Sequence, residues 1–351
     1  MKAAGIICEF NPLHDGHRFL LDSVRSVLKP DAVVCVMSGN FVQRGKPSLW
    51  NKYRRADMAI KAGADLVLEL PVRYALGCAS DFASGGVSVL DALGCISHIA
   101  FGSECGDIEI LKSAASVSED EFKDKLRELL DSGISYPDAY SKACGNPVFN
   151  TPNNTLGVEY IRALNKTGSD MIPFTIKRLE GVCASEIREN IESNDNINYV
   201  DYIDIQKFEV NQFAALRYKL LNTSAEELNC ISEVTEGLEN KILKEFIYAS
   251  DLEDLIQRVK SKRYTYSKIS RIMLKILLGI SKSDMQKPLD SIKVLALNNV
   301  GREVLKSAKN AEIKFSVSAE DSSANDLYSV LCGNTIYDNS DYVCNPKPAD
   351  I

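Results

Sequence analysis

Two of the three histidines in this 351-residue chain stand in one short run, Asn11-Pro12-Leu13-His14-Asp15-Gly16-His17. The spacing puts two imidazoles one helical turn apart. Before the run, Ala3–Cys8 is a short apolar stretch of β type. After it, Gly16–Lys29 has helical spacing, with Phe19, Leu20, Val24 and Val27 on one stripe. A strand that runs into a helix N-terminus presents unpaired N–H groups and the positive end of the helix dipole, which together bind phosphate. Gly16 permits close backbone approach, and two imidazoles beside it could stabilise charge on a triphosphate as pyrophosphate departs. Two plainer readings stay open on the residues alone. The pair could ligate a metal, although no third ligand cluster is visible, or it could be purely structural.

Other residues with chemistry follow later strands. Arg44, Lys46, Lys52, Arg54 and Arg55 could hold RNA phosphates or a triphosphate, or form a solvated helix face. Gly39 and Gly45 suggest a loop that closes over the site. Glu104 and Asp107 are acids near a strand end, a pattern too common to assign as magnesium ligands. The run 258–275 holds Arg258, Lys260, Lys262, Arg263, Lys268, Arg271 and Lys275 with no acidic residue, and Tyr264 and Tyr266 are interleaved. Such a run fits an RNA phosphate footprint with rings that stack on unpaired bases, or an ordinary helix with a basic face.

The elements that must position these groups alternate. Ala3–Cys8, Asp31–Met37, Asp65–Leu70, Ser97–Phe101 and Met171–Arg178 are expected as strands. Helices are expected over Gly16–Lys29, Asn51–Ala62, Ala75–Leu93, Ile108–Val117, Glu119–Asp131, Asn154–Asn165 and Ala184–Ser193. Alternation of this kind indicates a parallel α/β sheet, whose ligands sit beyond the carboxyl ends of the strands. Asn194-Asp195-Asn196 is the best boundary, giving units of 1–195 and 196–351. In the second, Phe208–Leu221, Thr235–Tyr248, Leu252–Lys260 and Tyr266–Gly279 are helix-patterned. A strand at Ile292–Leu297, helices at Val300–Ala308 and Asp321–Leu331, and a loose tail follow.

Composition narrows the class. Apolar residues make up 45% and charged residues 25%, an ordinary globular balance that excludes disorder as the main state. The net charge of −7 excludes a protein that coats nucleic acid over its whole surface, while leaving room for a local basic groove. No apolar run approaches the ~20 residues that span a bilayer. The N-terminus lacks the long apolar region of a signal peptide, so a cytoplasmic protein is expected. Ten cysteines occur without a C-x-x-C pair, which argues against a zinc ribbon and for buried free thiols.

The H-x-G-H run after the first strand resembles the signature of the nucleotidyltransferase superfamily, shared with class I aminoacyl-tRNA synthetases. Ile6–His17, Met37-Ser38-Gly39-Asn40-Phe41-Val42-Gln43-Arg44-Gly45, Gly63-Ala64-Asp65-Leu66-Val67-Leu68-Glu69-Leu70-Pro71, Phe101-Gly102-Ser103-Glu104 and Pro152-Asn153-Asn154-Thr155-Leu156-Gly157 resemble the tRNA(Met) cytidine acetate ligase family. The likeness extends through Arg263-Tyr264-Thr265. Cys8 and Leu13 stand where valine and phenylalanine are expected more often, both apolar exchanges.

The resemblance implies a Rossmann-like, HIGH-type parallel-sheet domain followed by a mostly helical domain that binds tRNA. It implies that acetate attacks the α-phosphate of ATP, and that the acetyl group then passes to N4 of the wobble cytidine in elongator methionine tRNA. ATP is then a substrate; magnesium is expected with it only because nucleoside triphosphates usually carry that ion. The nucleotide cradle would be Ile7, Cys8, Glu9, Phe10, Asn11, Pro12, Leu13, His14, Asp15, Gly16, His17, Arg18, Phe19 and Leu20, with Gly102, Asn153, Asn154 and Arg178. Cys183-Ala184-Ser185-Glu186-Ile187-Arg188 resembles the second signature of the nucleotidyltransferase superfamily, which would place Ser185 and Arg188 with His14 and His17 in the catalytic set. Lys262, Arg263, Lys268 and Arg271 would meet the RNA. The alternatives are a nucleotidyltransferase acting on a phosphorylated metabolite and a non-catalytic RNA-binding protein. The first usually needs only one domain; the second usually loses such histidines.

Overall fold

The computed structural model describes residues 1–134, 136–179, 181, 187, 202–308, 313–316, 322–338 and 340–343. Its strands are β1 (Ala3–Cys8), β2 (Ala32–Ser38), β3 (Phe41–Val42), β4 (Lys46–Pro47), β5 (Leu66–Leu70), β6 (Ile96–Ser103), β7 (Ile172–Lys177), β8 (Ser291–Leu297) and β9 (Lys314–Ser316). The first helices are α1 (Asp15–Leu28), α2 (Lys52–Lys61), α3 (Val72–Ala75), α4 (Ala79–Asp91), α5 (Ile108–Ser116), α6 (Lys123–Asp131), α7 (Tyr136–Cys144) and α8 (Pro152–Thr167). The later ones are α9 (Ile205–Leu221), α10 (Ala225–Cys230), α11 (Leu238–Glu245), α12 (Leu252–Val259), α13 (Tyr266–Leu278), α14 (Asn299–Ser307), α15 (Ser323–Leu331) and α16 (Ser340–Val343).

Seven strands form one sheet in the order β7-β6-β1-β2-β5-β8-β9, parallel throughout except for the β5–β8 pair. Alternate residues of each strand feed two cores. Ile7, Val34, Val36, Leu66 and Leu68 pack with Phe82, Leu90 and Val158 of α4 and α8. Ile6, Cys8, Val33, Cys35 and Val67 pack with Leu21, Val24, Ala56 and Ala59 of α1 and α2. Both faces are covered, so the strands read as continuous apolar runs. A third core, from Leu216 and Leu220 through Ile256 and Ile272, belongs to helices α9–α13. No helix among the described residues is long and apolar enough to cross a membrane.

The expected class, a parallel α/β sheet followed by a mostly helical segment, is the one the chain adopts. Several details differ. The helix expected over Ala75–Leu93 starts later, as α4 at Ala79, and is separate from the short α3 before it, because Cys78 takes an extended N-cap conformation, with φ −67° and ψ 177°. Helix α7 and the β3–β4 hairpin have no counterpart in the sequence reading. Strands β8 and β9 return from beyond residue 195 to extend the sheet of the first unit, so the helical segment is an excursion rather than the chain's end. All eight described cysteines are free, but only Cys8 and Cys35 are buried, and Cys230 is exposed. Apart from Ile187, the helix expected over Ala184–Ser193 lies outside the described residues, as do the proposed boundary at 194–196 and the last eight residues.

Candidate active site

Beyond the carboxyl ends of β1, β6 and β7 lies a cavity of about 1260 Å³. Ile7, Cys8, Glu9, Phe10, Asn11, His14, Gly16, His17, Phe19 and Leu20 line it from the β1–α1 side, and Gly102, Asn153 and Arg178 from the β6, α8 and β7 side. The opposite wall comes from the β3–β4 hairpin and from the starts of α9 and α13. Pro12, Leu13, Asp15, Arg18 and Asn154, expected in the cradle, do not line the cavity. Leu13 is buried in the core below, while Asp15 and Arg18 face solvent. Pro12 follows a cis peptide from Asn11, whose side-chain oxygen accepts from Leu49 N at 2.9 Å.

The two histidines form a reciprocal cap on α1. His14 is the N-cap, and its Nδ1 accepts from Gly16 N at 3.1 Å. His17 Nδ1 accepts from His14 N at 3.3 Å. The rings stack with centroids 3.7 Å apart, and Phe10 meets His17 edge-on at 5.0 Å. A ring nitrogen that accepts carries no proton, so each neutral imidazole holds its proton on Nε2 and is a donor there. Burial, then the neighbouring His14, then Arg178 push His17 down to about 3, so it is neutral at pH 7. A Cβ at Gly16 would stand 3.0 Å from His14 Cε1, which ties the glycine to the ring's position.

Glu104 and Asn154 lock the other side. The Glu104 carboxylate accepts from Asn153 Nδ2 at 2.7 Å and from Asn154 N at 2.8 Å, capping α8. Asn154 Oδ1 accepts in return from Glu104 N at 3.0 Å and Cys105 N at 3.1 Å. Asn154 is thus the brace and Asn153 the residue that lines the cavity. Burial alone would raise Glu104, but hydrogen bonds from Asn153 and from the 153–154 backbone hold it below its ordinary range. Arg178 stands 3.9 Å from Glu104. Glu104 is therefore a helix cap. Asp107 likewise caps α5, accepting from Glu109 N at 2.9 Å. Among the described residues no group of three His, Cys, Asp or Glu side chains converges as a metal site.

The basic residues after β2 separate by role. Arg55 is buried, donating to Glu9 O at 2.5 Å, Ser38 O at 3.0 Å and Gly39 O, so it clamps the ends of β1 and β2. Lys52 is buried between Glu69 at 2.6 Å and Asp341 at 2.9 Å. Arg54 lies over the Trp50 ring. Only Arg44 and Lys46 line the cavity. Nor is the Gly39–Gly45 segment a free lid. Gln43 N donates to Glu9 at 2.7 Å, Ser270 Oγ donates to Gly45 O at 2.7 Å, and Gly45, at φ +74°, packs directly on the α13 backbone.

The profile of the HIGH Nucleotidyl Transferase family matches residues 1–341. The tRNA(Met) cytidine acetate ligase of Clostridium perfringens is 36% identical across 99% of both chains. That of Caldanaerobacter subterraneus subsp. tengcongensis is 41% identical over 88% of this chain and 86% of its own. The chain belongs to the tRNA(Met) cytidine acetate ligase family of HIGH nucleotidyltransferases. Its fold is similar to that of Thermotoga maritima TmcAL bound with alpha-thio ATP, with a TM-score of 0.84, 29% identity and 99% of each chain covered.

Of the catalytic set expected from the sequence, His14 and His17 meet at the cavity, while Ser185 and Arg188 lie outside the described residues. Of the expected RNA set, Lys262 and Arg263 are exposed, and Arg263 pairs with Glu236 at 2.7 Å and Asp131 at 3.3 Å. Lys268 is half-buried with its ammonium 4.9 Å from the Tyr264 ring centroid. Arg271 departs from expectation: it is 9% exposed and engages Glu233 at 2.9 Å, which also holds the fully buried Lys275 at 2.8 Å. Sequence reasoning missed Gln206 and Glu209 on the far wall, because nothing within their own helix marks a cavity-facing position.

Proposed function

We propose that this chain is an ATP-dependent ligase that acetylates N4 of the wobble cytidine in elongator methionine tRNA, acting in the cytoplasm. One observation carries the reading. Two neutral imidazoles are fixed by backbone N–H groups at a helix N-terminus, inside a cavity whose far wall is shared by the β3–β4 hairpin and the helical segment. The triphosphate enters as its magnesium complex.

An acetate oxygen attacks the α-phosphorus, the bond to the bridging oxygen breaks, and pyrophosphate leaves with the electron pair. His14 and His17 donate Nε2–H to phosphate oxygens, the α1 N-terminus adds its dipole, and Arg178 adds a full charge. Ser185 and Arg188 are assigned to the departing pyrophosphate on the strength of the Ser185-Glu186-Ile187-Arg188 run's resemblance to the second signature. Asn153 orients the nucleotide. The cytidine N4 then attacks the acetyl carbon, the C–O bond to AMP breaks, and N4 loses one proton. Burial and the adjacent Cys35 push the Cys8 thiol well up, so Cys8 meets the nucleotide as an apolar wall. Lys262, Arg263 and Lys268 hold RNA phosphates. Arg271 serves the fold instead.

The test is pyrophosphate release from ATP, with acetate and tRNA added separately and together. Release that requires acetate and runs to completion with tRNA supports the ligase. Turnover on a phosphorylated metabolite without acetate would instead make the chain a nucleotidyltransferase of small molecules.

A further inference from the structure

At about 1260 Å³ the cavity exceeds the roughly 300–1,000 Å³ of an ordinary small-molecule pocket. The His14/His17 side accounts for one nucleotide. Across from it stands a polar cluster that the adenylation chemistry leaves unused. Lys46 of β4 pairs with Glu209 of α9 at 2.6 Å, with the side chains 36% and 31% exposed. Its ammonium also lies 5.8 Å from the centroid of the Tyr266 ring, and the Tyr266 hydroxyl donates to Glu253 Oε2 at 2.5 Å. Lys46, Glu209 and Tyr266 all line the cavity.

Docking the hairpin does not require this cluster. The hairpin is already tied by Ser270 to Gly45 O and by Glu9 to Gln43 N. Burial would lower Lys46, but its contact with Glu209 outweighs that and keeps it above its ordinary range, so the ammonium stays charged at neutral pH.

Resting on the ligase reading above, we infer that Glu209, Lys46 and Tyr266 form the subsite that selects the acceptor base, a pyrimidine bearing an exocyclic amine. Cytosine presents a donor at N4 and acceptors at N3 and O2. The Glu209 carboxylate accepts from the amine, the Lys46 ammonium donates to N3 or O2, and the Tyr266 ring, fixed through its hydroxyl, supplies a stacking face. Uracil places an oxygen where cytosine has its amine, so the same carboxylate repels it. That repulsion gives selectivity.

The experiment compares Glu209→Ala, Glu209→Gln and Tyr266→Ala with the wild-type full chain. It uses acetate-dependent exchange of pyrophosphate into ATP without RNA, and acetyl transfer to full-length tRNA(Met) transcript. Losing a hydrogen bond to a charged group should lower transfer in Glu209→Ala by about 10–100-fold, while exchange changes by less than about threefold. Glu209→Gln, which keeps an acceptor, should recover part of the loss. A transcript with uridine at the wobble position should compete poorly against wild type and comparatively better against Glu209→Ala. Exchange and transfer falling together, or transfer unaffected in Glu209→Ala, overturns the subsite. Wild-type protein without acetate-dependent exchange overturns the ligase reading itself, which separates the two failures.

Discussion

Residues 9–18 and residues 258–275 are both dense in polar groups, and the fold treats them in opposite ways. In the first run the side chains that matter are fixed by backbone a few residues away. His14 and His17 cap their own helix and still face the cavity. In the second run Arg258 pairs one turn back with Asp254, but the charges that turn inward are sorted by a partner far along the chain. Glu233 draws Arg271 and Lys275 inward, and only the stretch around Lys262 and Arg263 stays at the surface. A charge placed by its own turn keeps the role its spacing suggests, whereas a charge placed by a distant counter-ion takes whatever role that counter-ion leaves.

The largest expected effect attacks the second half of this contrast. Glu233→Ala leaves Arg271 and Lys275 without their carboxylate, and breaking a buried pair by removing one partner costs about 3–5 kcal/mol. Thermal and urea unfolding should show that loss. A variant as stable as wild type would return Arg271 to the set of residues available to RNA. Next comes His17→Ala. Removing one preorganised donor to a transition-state oxyanion costs about 10²–10³ in rate. Acetate-dependent pyrophosphate exchange should fall accordingly while tRNA affinity stays near wild type. Full exchange in that variant would show that the histidines only cap the helix.

The same contrast explains what was legible in the sequence. β1 was readable to the residue, and the H-x-G-H turn was readable as a site, because strand end, cap and glycine are all local signals. The Cys78 break between α3 and α4 was not, since Gly77 and Cys78 sit within an otherwise helical pattern. The roles of Glu104, Arg55 and Lys52 depend on Asn154, Glu9 and Asp341, partners 50, 46 and 289 residues away. No spacing rule reaches that far. Strands β8 and β9 joining the first sheet are the same lesson at the scale of an element.

A pH measurement sharpens the first half. The folded state holds His17 down at about 3, against the ordinary histidine value of 6.5. Above 6.5 the ring is neutral whether the chain is folded or not. As pH falls from 6.5 toward 3, the unfolded chain binds a proton that the folded one refuses, so stability is lost over that window. Melting temperature should therefore drop more steeply between pH 7 and pH 5 for wild type than for His17→Asn, and the His17 ring resonances should not titrate above pH 5. Equal slopes, or a ring that titrates near 6.5, would mean that the imidazole is open to water and not fixed as a neutral donor.

The smallest effect tests the residues that remain at the surface. Arg263 is held by Glu236 and Asp131 in exposed pairs, which contribute only about 0–1 kcal/mol each. Replacing both Lys262 and Arg263 with glutamine should thus leave the melting temperature almost unchanged. If the two side chains meet phosphates, each releases a counter-ion, with a slope of about 0.7 per contact on single-stranded RNA. The double variant should flatten the salt dependence of tRNA binding by roughly one to two in log–log slope, with acetate-dependent pyrophosphate exchange unaffected. An unaltered slope would move the RNA path away from this corner. The basic run would then be a set of charges that serve carboxylates of this chain, among them Glu233, Glu236, Asp131 and Asp254.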